Sequence, residues 1–203
     1  LSLANKYLKT ALENNYEGLE TYVPEAQAQI GDCYFKLGES EKALTVYQEC
    51  IEYIRKSSFQ VILYHKVTMK LGDVLLSLRR YMEALEKYEF VLDTKCKFPV
   101  WSWNWITSKQ WSNIGDAYFK VHKYDYSIDY YKRALKTKDP DRKYLYFQIR
   151  LSYLRSKKYD MAYHYYIKLK ELKGMEEEMA VETKEIVGVG SDSNETLRNN
   201  HYV

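Results

Sequence analysis

The sequence predicts an all-α protein, an α-solenoid of antiparallel helix pairs, on three observations. A short phrase recurs in which a glycine follows Ile or Leu and precedes Asp, at Gly31, Gly72 and Gly115. After each glycine come a small residue and then a tyrosine, at Ala43 and Tyr47, Ala84 and Tyr88, and Ser127 and Tyr131. A fourth copy lacks the glycine and has Arg150, Ala162 and Tyr166 in the same positions. A phrase that returns at a near-constant interval indicates a repeat array.

Each copy reads as two helices joined by a short turn. In the first helix, apolar residues recur at i, i+4 and i+7, as Ile30, Tyr34 and Leu37 do. The second helix shows the same period after Ala43 and Ala84. Residues 38–40, Gly-Glu-Ser, combine a helix-ending glycine with a helix-capping serine. Each pair would bury its apolar face by stacking on a neighbour.

This pattern resembles the tetratricopeptide repeat, a unit of about 34 residues. The resemblance places four units at 24–57, 65–98, 108–141 and 143–176, with the family's early tryptophan present only as Trp111. Extra residues precede the first helices of the second and third units. Ser58 suits an N-cap and Pro99 a first helical position, which predicts lengthened first helices in both units. Such lengthened units resemble those of kinesin light chains, GoLoco-binding adaptors and Rap-type receptors.

The two ends of the chain depart from the four units. Residues 1–18 fit the second helix of a truncated repeat, since Ala4, Leu8 and Ala11 occupy its packing positions. Residues 177–187 are rich in helix formers and predict a C-terminal capping helix. Residues 188–203 are rich in Gly, Ser and Asn, which predicts a flexible tail.

Composition gives no indication of an enzyme. The 203 residues are 46% hydrophobic with a formal net charge of +3, and the four histidines show no metal-ligand spacing. No nucleophile motif or phosphate-binding loop is present, so we expect no catalysis, no cofactor and no metal site. Three cysteines without a pairing motif predict reduced thiols, Cys33 and Cys50 in core or near-core positions, and a cytoplasmic or nuclear location. No stretch approaches the roughly 20 apolar residues of a membrane span, so we expect no membrane partner.

The resemblance implies a concave groove lined by first-helix residues at fixed distances from the glycine position. The candidate binding residues are Asp32, Phe35, Lys36, Met69, Asp73, Asp116, Phe119, Lys120, Phe147 and Arg155. One interpretation is a solvated face, on which Asp and Lys four residues apart pair along one helix. The other is a ladder of charges and aromatic rings that holds a peptide. Chaperone-binding members of the family have Asn where this chain has Asp, which argues against a carboxylate-tail ligand.

Two further features are candidate partner sites. Trp103 lies between Trp101 and Trp105, and either it is exposed as a binding hot spot or all three rings pack between helices. Residues 120–173 contain fifteen Lys or Arg and six Asp or Glu. This basic segment is either a solvated face or a surface for an acidic protein, and without a recognition motif we do not expect nucleic acid as its partner.

The prediction for function is therefore a noncatalytic scaffold or adaptor that binds a peptide or protein segment in its groove and mediates assembly of a protein complex. Its partner is expected to be basic or mixed in charge at the groove and acidic where it meets residues 120–173. The alternative, implied by the Rap-type resemblance, is a regulatory receptor whose superhelix responds to a small peptide.

Overall fold

The computed structural model describes residues 10, 22–57, 61–95 and 105–172. They belong to two compact units, residues 1–140 and 141–203. Every regular element in the described ranges is an α-helix, so the predicted all-α class is confirmed.

The first unit contains six described helices in three pairs. They are α1 (Val23–Lys36), α2 (Ser40–Ser57), α3 (Val61–Ser77), α4 (Tyr81–Lys95), α5 (Ser108–Lys120) and α6 (Tyr124–Leu135). The partners within a pair make extensive contacts, and α1 also contacts α3, as α3 contacts α5. The first helices of neighbouring pairs therefore lie side by side. The second unit contains α7 (Arg142–Arg155) and a helix over 159–172, α8.

The first helices differ in how they begin. Helix α3 has 17 residues against 14 in α1, so the second copy does have a longer first helix. In the third copy the prediction of a longer helix is wrong over 105–107, because α5 begins only at Ser108. Thr107 is its N-cap, and a capping box with Gln110 satisfies backbone groups at that end. Ser58 and Pro99 lie outside the described residues.

The turn inside each pair has one conformation in all four copies. The residue seven positions after the glycine position has a positive φ in each: 78° at Gly38, 62° at Arg79, 63° at His122 and 59° at Lys157. At the first turn the N–H of Gly38 donates to the carbonyl of Phe35, and that of Glu39 to the carbonyl of Tyr34. The other three turns repeat this pair of hydrogen bonds. This is the Schellman ending of a helix, and only the first copy uses the glycine that favours it.

A glycine-on-tyrosine contact joins the two helices of each of the first three copies. A Cβ atom built on Gly31 would lie 2.5 Å from Cε1 of Tyr47, and one on Gly115 would lie 2.6 Å from Cε1 of Tyr131. Gly72 meets Tyr88 in the same way. All three tyrosines are at most 1% exposed. The recurring glycine therefore makes room for a fully buried ring, which is why a side chain is excluded there.

The two cysteines of the described ranges differ in their surroundings. Cys50 is fully buried, its thiol donates to the carbonyl oxygen of Pro24 at 3.2 Å, and burial raises its pKa to about 12. Cys33 is exposed, so its prediction as a core or near-core residue is wrong.

Candidate functional site: a lysine-rich groove on the first helices

The aspartate that follows each glycine accepts a hydrogen bond from the tyrosine of its own repeat. The hydroxyl of Tyr47 donates to Asp32 at 2.5 Å, that of Tyr88 to Asp73 at 2.7 Å, and that of Tyr131 to Asp116 at 2.7 Å. Burial raises the pKa of Tyr47 and of Tyr88, so both phenols stay protonated and donate. The three carboxylates are thus part of the joint between the two helices of a pair.

Two of these carboxylates also join neighbouring repeats. Lys70 on α3 donates to Asp32 on α1 at 2.6 Å, and Asn113 on α5 donates to Asp73 on α3 at 2.8 Å. Lys70 and Asn113 both stand two residues before the glycine position. Burial raises the pKa of Asp73 to about 6, against the hydrogen bonds from Asn113 and Tyr88. Asp32 therefore pairs with a lysine on the next first helix rather than with Lys36 on its own.

A cavity of about 420 Å³ lies on the surface formed by α1, α3 and the start of α5. We call it the lysine groove. Its lining residues are Asp32, Phe35, Lys36, Tyr47, Lys66, Lys70, Asp73, Trp105, Thr107, Lys109 and Gln110. Four lysines face two aspartates in this set, and both aspartates already accept hydrogen bonds. The groove therefore carries excess positive charge beside three aromatic rings.

The structure brings four of the predicted binding residues together in the lysine groove: Asp32, Phe35, Lys36 and Asp73. Asp116, Phe119 and Lys120 occupy the same positions on α5 without lining this cavity. For Met69 the prediction of a groove contact is wrong, because its side chain is fully buried. Ala28 and Ser112, in the same position of the other two copies, are buried as well, since this position faces the neighbouring helices.

Three lysines of the groove are absent from the binding residues predicted from the sequence. Lys66 and Lys109 stand six residues before their glycines, and Lys70 stands two before. The six-before position belongs to the groove register that the family resemblance implies, so two of the three could have been found by listing it. Their positive charge changes the expected electrostatics of the cavity from acidic or mixed to basic.

The second unit departs from this scheme at the glycine position. Arg150 stands there, and its guanidinium lies 5.5 Å from the ring centre of Tyr166, which is 43% exposed. Position 151 is a leucine, which cannot accept a hydrogen bond from that tyrosine. Phe147 lines an open cleft beside Arg150 and Tyr166, and Arg155 is exposed at the end of α7. Both remain predicted binding residues of this unit.

Other predictions fall outside what the structure describes or beyond what it tests. Trp101 and Trp103 lie outside the described residues, whereas Trp105 lines the lysine groove. The basic segment 120–173 extends over both units, and its role stays a prediction. Among the described residues, no three His, Cys, Asp or Glu side chains are grouped so that they could hold a metal ion. No helix in the same ranges has both the length and the apolar character needed to cross a membrane.

Comparisons with known proteins identify the repeat. Sequence models of the tetratricopeptide repeat match residues 24–57 and 108–138. A human relative, tetratricopeptide repeat protein 21B, is 27% identical over 164 residues, which are 80% of this chain and 11% of that protein. The chain thus spans about a tenth of the length of that relative.

Solved structures with similar folds share little sequence with the chain. BtubC (BKLC) from P. vanneervenii is 15% identical with a TM-score of 0.69, over 87% of this chain and 72% of that one. MamA from Desulfovibrio magneticus RS-1 is 18% identical with a TM-score of 0.59, over 86% and 95%. A putative kinesin light chain from Podosopora anserina, with nearly identical TPR-like repeats, is 10% identical with a TM-score of 0.63, over 86% and 85%. At these low sequence identities the similarity shows a shared fold and nothing more.

Proposed function

We propose that this chain, a member of the tetratricopeptide-repeat family, is a noncatalytic adaptor that binds an acidic segment of a partner protein in its lysine groove and so mediates assembly of a protein complex. The family assignment supports a protein partner, because proteins of this fold are generally interaction scaffolds. The finer part of the proposal, the acidic segment and its place, rests on the lining of the groove.

The charge of the groove is the observation that carries the proposal. Lys36, Lys66, Lys70 and Lys109 line one cavity, and the two carboxylates among them are engaged by tyrosine, lysine and asparagine donors. A ligand with Asp or Glu side chains would complement the remaining positive charge. This complementarity would raise its association rate and fix its register in the groove. A basic ligand would meet like charge, which disfavours it.

The aromatic lining supplies the apolar part of such a contact. Phe35 and Trp105 are both partly exposed in the groove, where they can pack against a partner side chain. Aromatic anchors inside a charged rim are the usual source of binding energy in small interfaces. The expected ligand is therefore an extended segment that alternates acidic residues with at least one apolar residue.

A titration with two labelled peptides tests this proposal. One is an eight-residue peptide of alternating Glu and Phe, and the other replaces every Glu with Lys. Fluorescence anisotropy should show saturable binding of the acidic peptide that weakens as salt is raised, and no saturable binding of the basic one.

Charge-matched variants locate the binding. Lys66→Glu combined with Lys109→Glu should weaken the acidic peptide at least tenfold, because both lysines line the groove. Lys56→Glu combined with Lys138→Glu changes the net charge equally at exposed positions outside it, and should change the affinity less than twofold. Equal effects of the two double variants would show that only net charge attracts the peptide, which would remove the groove from the proposal.

A further inference from the structure

Three positions in the third copy build an aromatic stack between the two helices of that repeat, α5 and α6. Trp111, four residues before the glycine, lies 5.9 Å from Tyr130 between ring centres, with the planes 22° apart. The guanidinium of Arg133 lies 5.5 Å from the centre of the Trp111 ring and 4.9 Å from that of Tyr130. Trp111 is only 8% exposed, so an indole fills this place and a cation covers it.

The fourth copy builds the same arrangement with different residues. Tyr146, Tyr165 and Lys168 stand in the positions of Trp111, Tyr130 and Arg133, respectively. The two tyrosine rings are 5.8 Å apart, and the ammonium of Lys168 lies 5.8 Å from one ring centre and 5.1 Å from the other. An aromatic side chain before the glycine position, enclosed by an aromatic ring and a cation, is thus a recurring element of this chain.

The second copy has the enclosing residues without the central ring. Thr68 occupies the position of Trp111. Lys87 occupies the position of Tyr130 and Phe90 that of Arg133, so the cation and the aromatic ring have changed places. The Thr68 hydroxyl donates to the carbonyl of Tyr64 at 2.7 Å, so this small side chain is turned toward its own helix. An open cleft of about 460 Å³ lies at this place, lined by residues of α2, α3 and α4 that include Thr68, Lys87 and Phe90. Its volume is within the range of ligand-binding pockets.

We propose that this cleft, the Thr68 cleft, binds a tryptophan side chain of a partner protein. Tyr64 and Phe90 form an edge-to-face wall with ring centres 5.8 Å apart, and Phe90 is 46% exposed. Arg55 and Lys87 line the same cleft and supply cations of the kind that cover Trp111 in the third copy. Aromatic and cationic contacts of this kind favour an indole over an aliphatic side chain.

The Thr68 cleft is separate from the lysine groove, because the two sets of lining residues have no member in common. Its charges are also different. Glu52 and Glu86 accompany Arg55 and Lys87, so the cleft is balanced in charge where the groove is basic. A partner could therefore use an acidic segment in the groove and a tryptophan in the cleft, and each contact can be tested without the other.

The test uses N-acetyl-tryptophanamide as a neutral probe of the tryptophan side chain, followed by NMR. Saturable shifts are expected at Thr68, Leu71 and Phe90. N-acetyl-leucinamide should bind at least fivefold more weakly. The variant Thr68→Trp places the chain's own indole in the cleft and should weaken the probe at least tenfold. Leu37→Trp adds an exposed indole at a turn away from the cleft and should leave probe binding unchanged.

Phe90→Ala serves as the second variant, because Phe90 is partly exposed and its loss leaves the buried core in place. It should weaken the probe at least threefold while the acidic peptide still binds the lysine groove. The proposal is overturned if the tryptophan probe shifts no residue of the cleft, or if the leucine probe binds equally well. It is also overturned if Phe90→Ala leaves the affinity for the tryptophan probe unchanged.

Discussion

Gly72→Ala adds one methyl group at the most confined point of the second helix pair. The new Cβ would overlap the ring of Tyr88, with Cδ1 at 2.8 Å and Cζ at 2.9 Å. The ring is fully buried, and its hydroxyl is held by Asp73, which in turn holds Asn113 of the next repeat. A shift of the ring away from the new methyl group would therefore disturb close packing and strain that hydrogen bond.

The expected cost follows from three contributions. Overpacking a core position costs about 1–3 kcal/mol, and loss of a hydrogen bond to a charged group costs about 1.5–3 kcal/mol. Alanine recovers about 0.8–1.0 kcal/mol relative to glycine inside a helix. The net destabilisation should be about 1.5–5 kcal/mol, measured as the free energy of unfolding in urea by circular dichroism.

A double-mutant cycle with Tyr88→Leu separates the steric effect from the effect on the backbone. In the Tyr88→Leu background the clash is gone, so Gly72→Ala should be neutral or stabilising by up to about 1 kcal/mol. Gly38→Ala is the matched control, because a Cβ atom at this position would contact nothing within 4 Å. Its φ is 78°, so the destabilisation by alanine would come from backbone strain alone. That cost, about 1 kcal/mol, should be the same in both backgrounds. Equal effects of Gly72→Ala in both backgrounds would refute the packing argument.

Three other substitutions test the turns, the caps and the buried carboxylate. Arg79→Gly should stabilise the protein by about 1 kcal/mol in urea unfolding, because φ is 62° there and glycine adopts that conformation without strain. Thr107→Ala removes the capping box with Gln110 and should cost about 1 kcal/mol by the same measurement, and an unchanged midpoint would contradict the assigned start of α5. Asp73 has its pKa raised to about 6 by burial, so its contribution to stability is present below about pH 4 and is lost as the pH rises through 6. Thermal unfolding midpoints measured from pH 4 to 8 should therefore show the wild type losing stability relative to Asp73→Asn up to about pH 7. Midpoints of the two proteins that change in parallel over the whole pH range would contradict this.

The repeat was predictable because its strongest constraint is local. A glycine that must face a tyrosine ring 16 positions later leaves the same two residue types at the same spacing in three copies. The turn was also predictable from Gly38, although Arg79, His122 and Lys157 adopt the same positive φ without any signal in their residue types. A hydrogen-bonded turn that recurs in each copy can impose that conformation on arginine, histidine or lysine, which sequence propensity alone would not predict.

The candidate site was less predictable from the sequence, because a charged residue on a first helix can pair either along its own helix or with the adjacent first helix. One interpretation of the sequence pairs Asp32 with Lys36 along its own helix, but the adjacent first helix brings Lys70 within 2.6 Å of Asp32. Which of the two lysines is closer depends on how neighbouring repeats stack, and a single helix does not contain that information. Met69 shows the same limit, since its position faces the next repeat and is buried.

We propose that the lysine groove receives an acidic segment of a partner protein. The most direct measurement places a photo-crosslinking amino acid at Phe35, which lines the groove, and at Tyr159, which is 64% exposed elsewhere. Crosslinked peptides from extracts of the source cell are then mapped by mass spectrometry. The account predicts that the Phe35 position captures a segment with more Asp and Glu than Lys and Arg, and that Lys66→Glu with Lys109→Glu abolishes that product while the Tyr159 position does not form it. A captured segment that is neutral or basic, or a product that survives the two charge reversals, would contradict the claim.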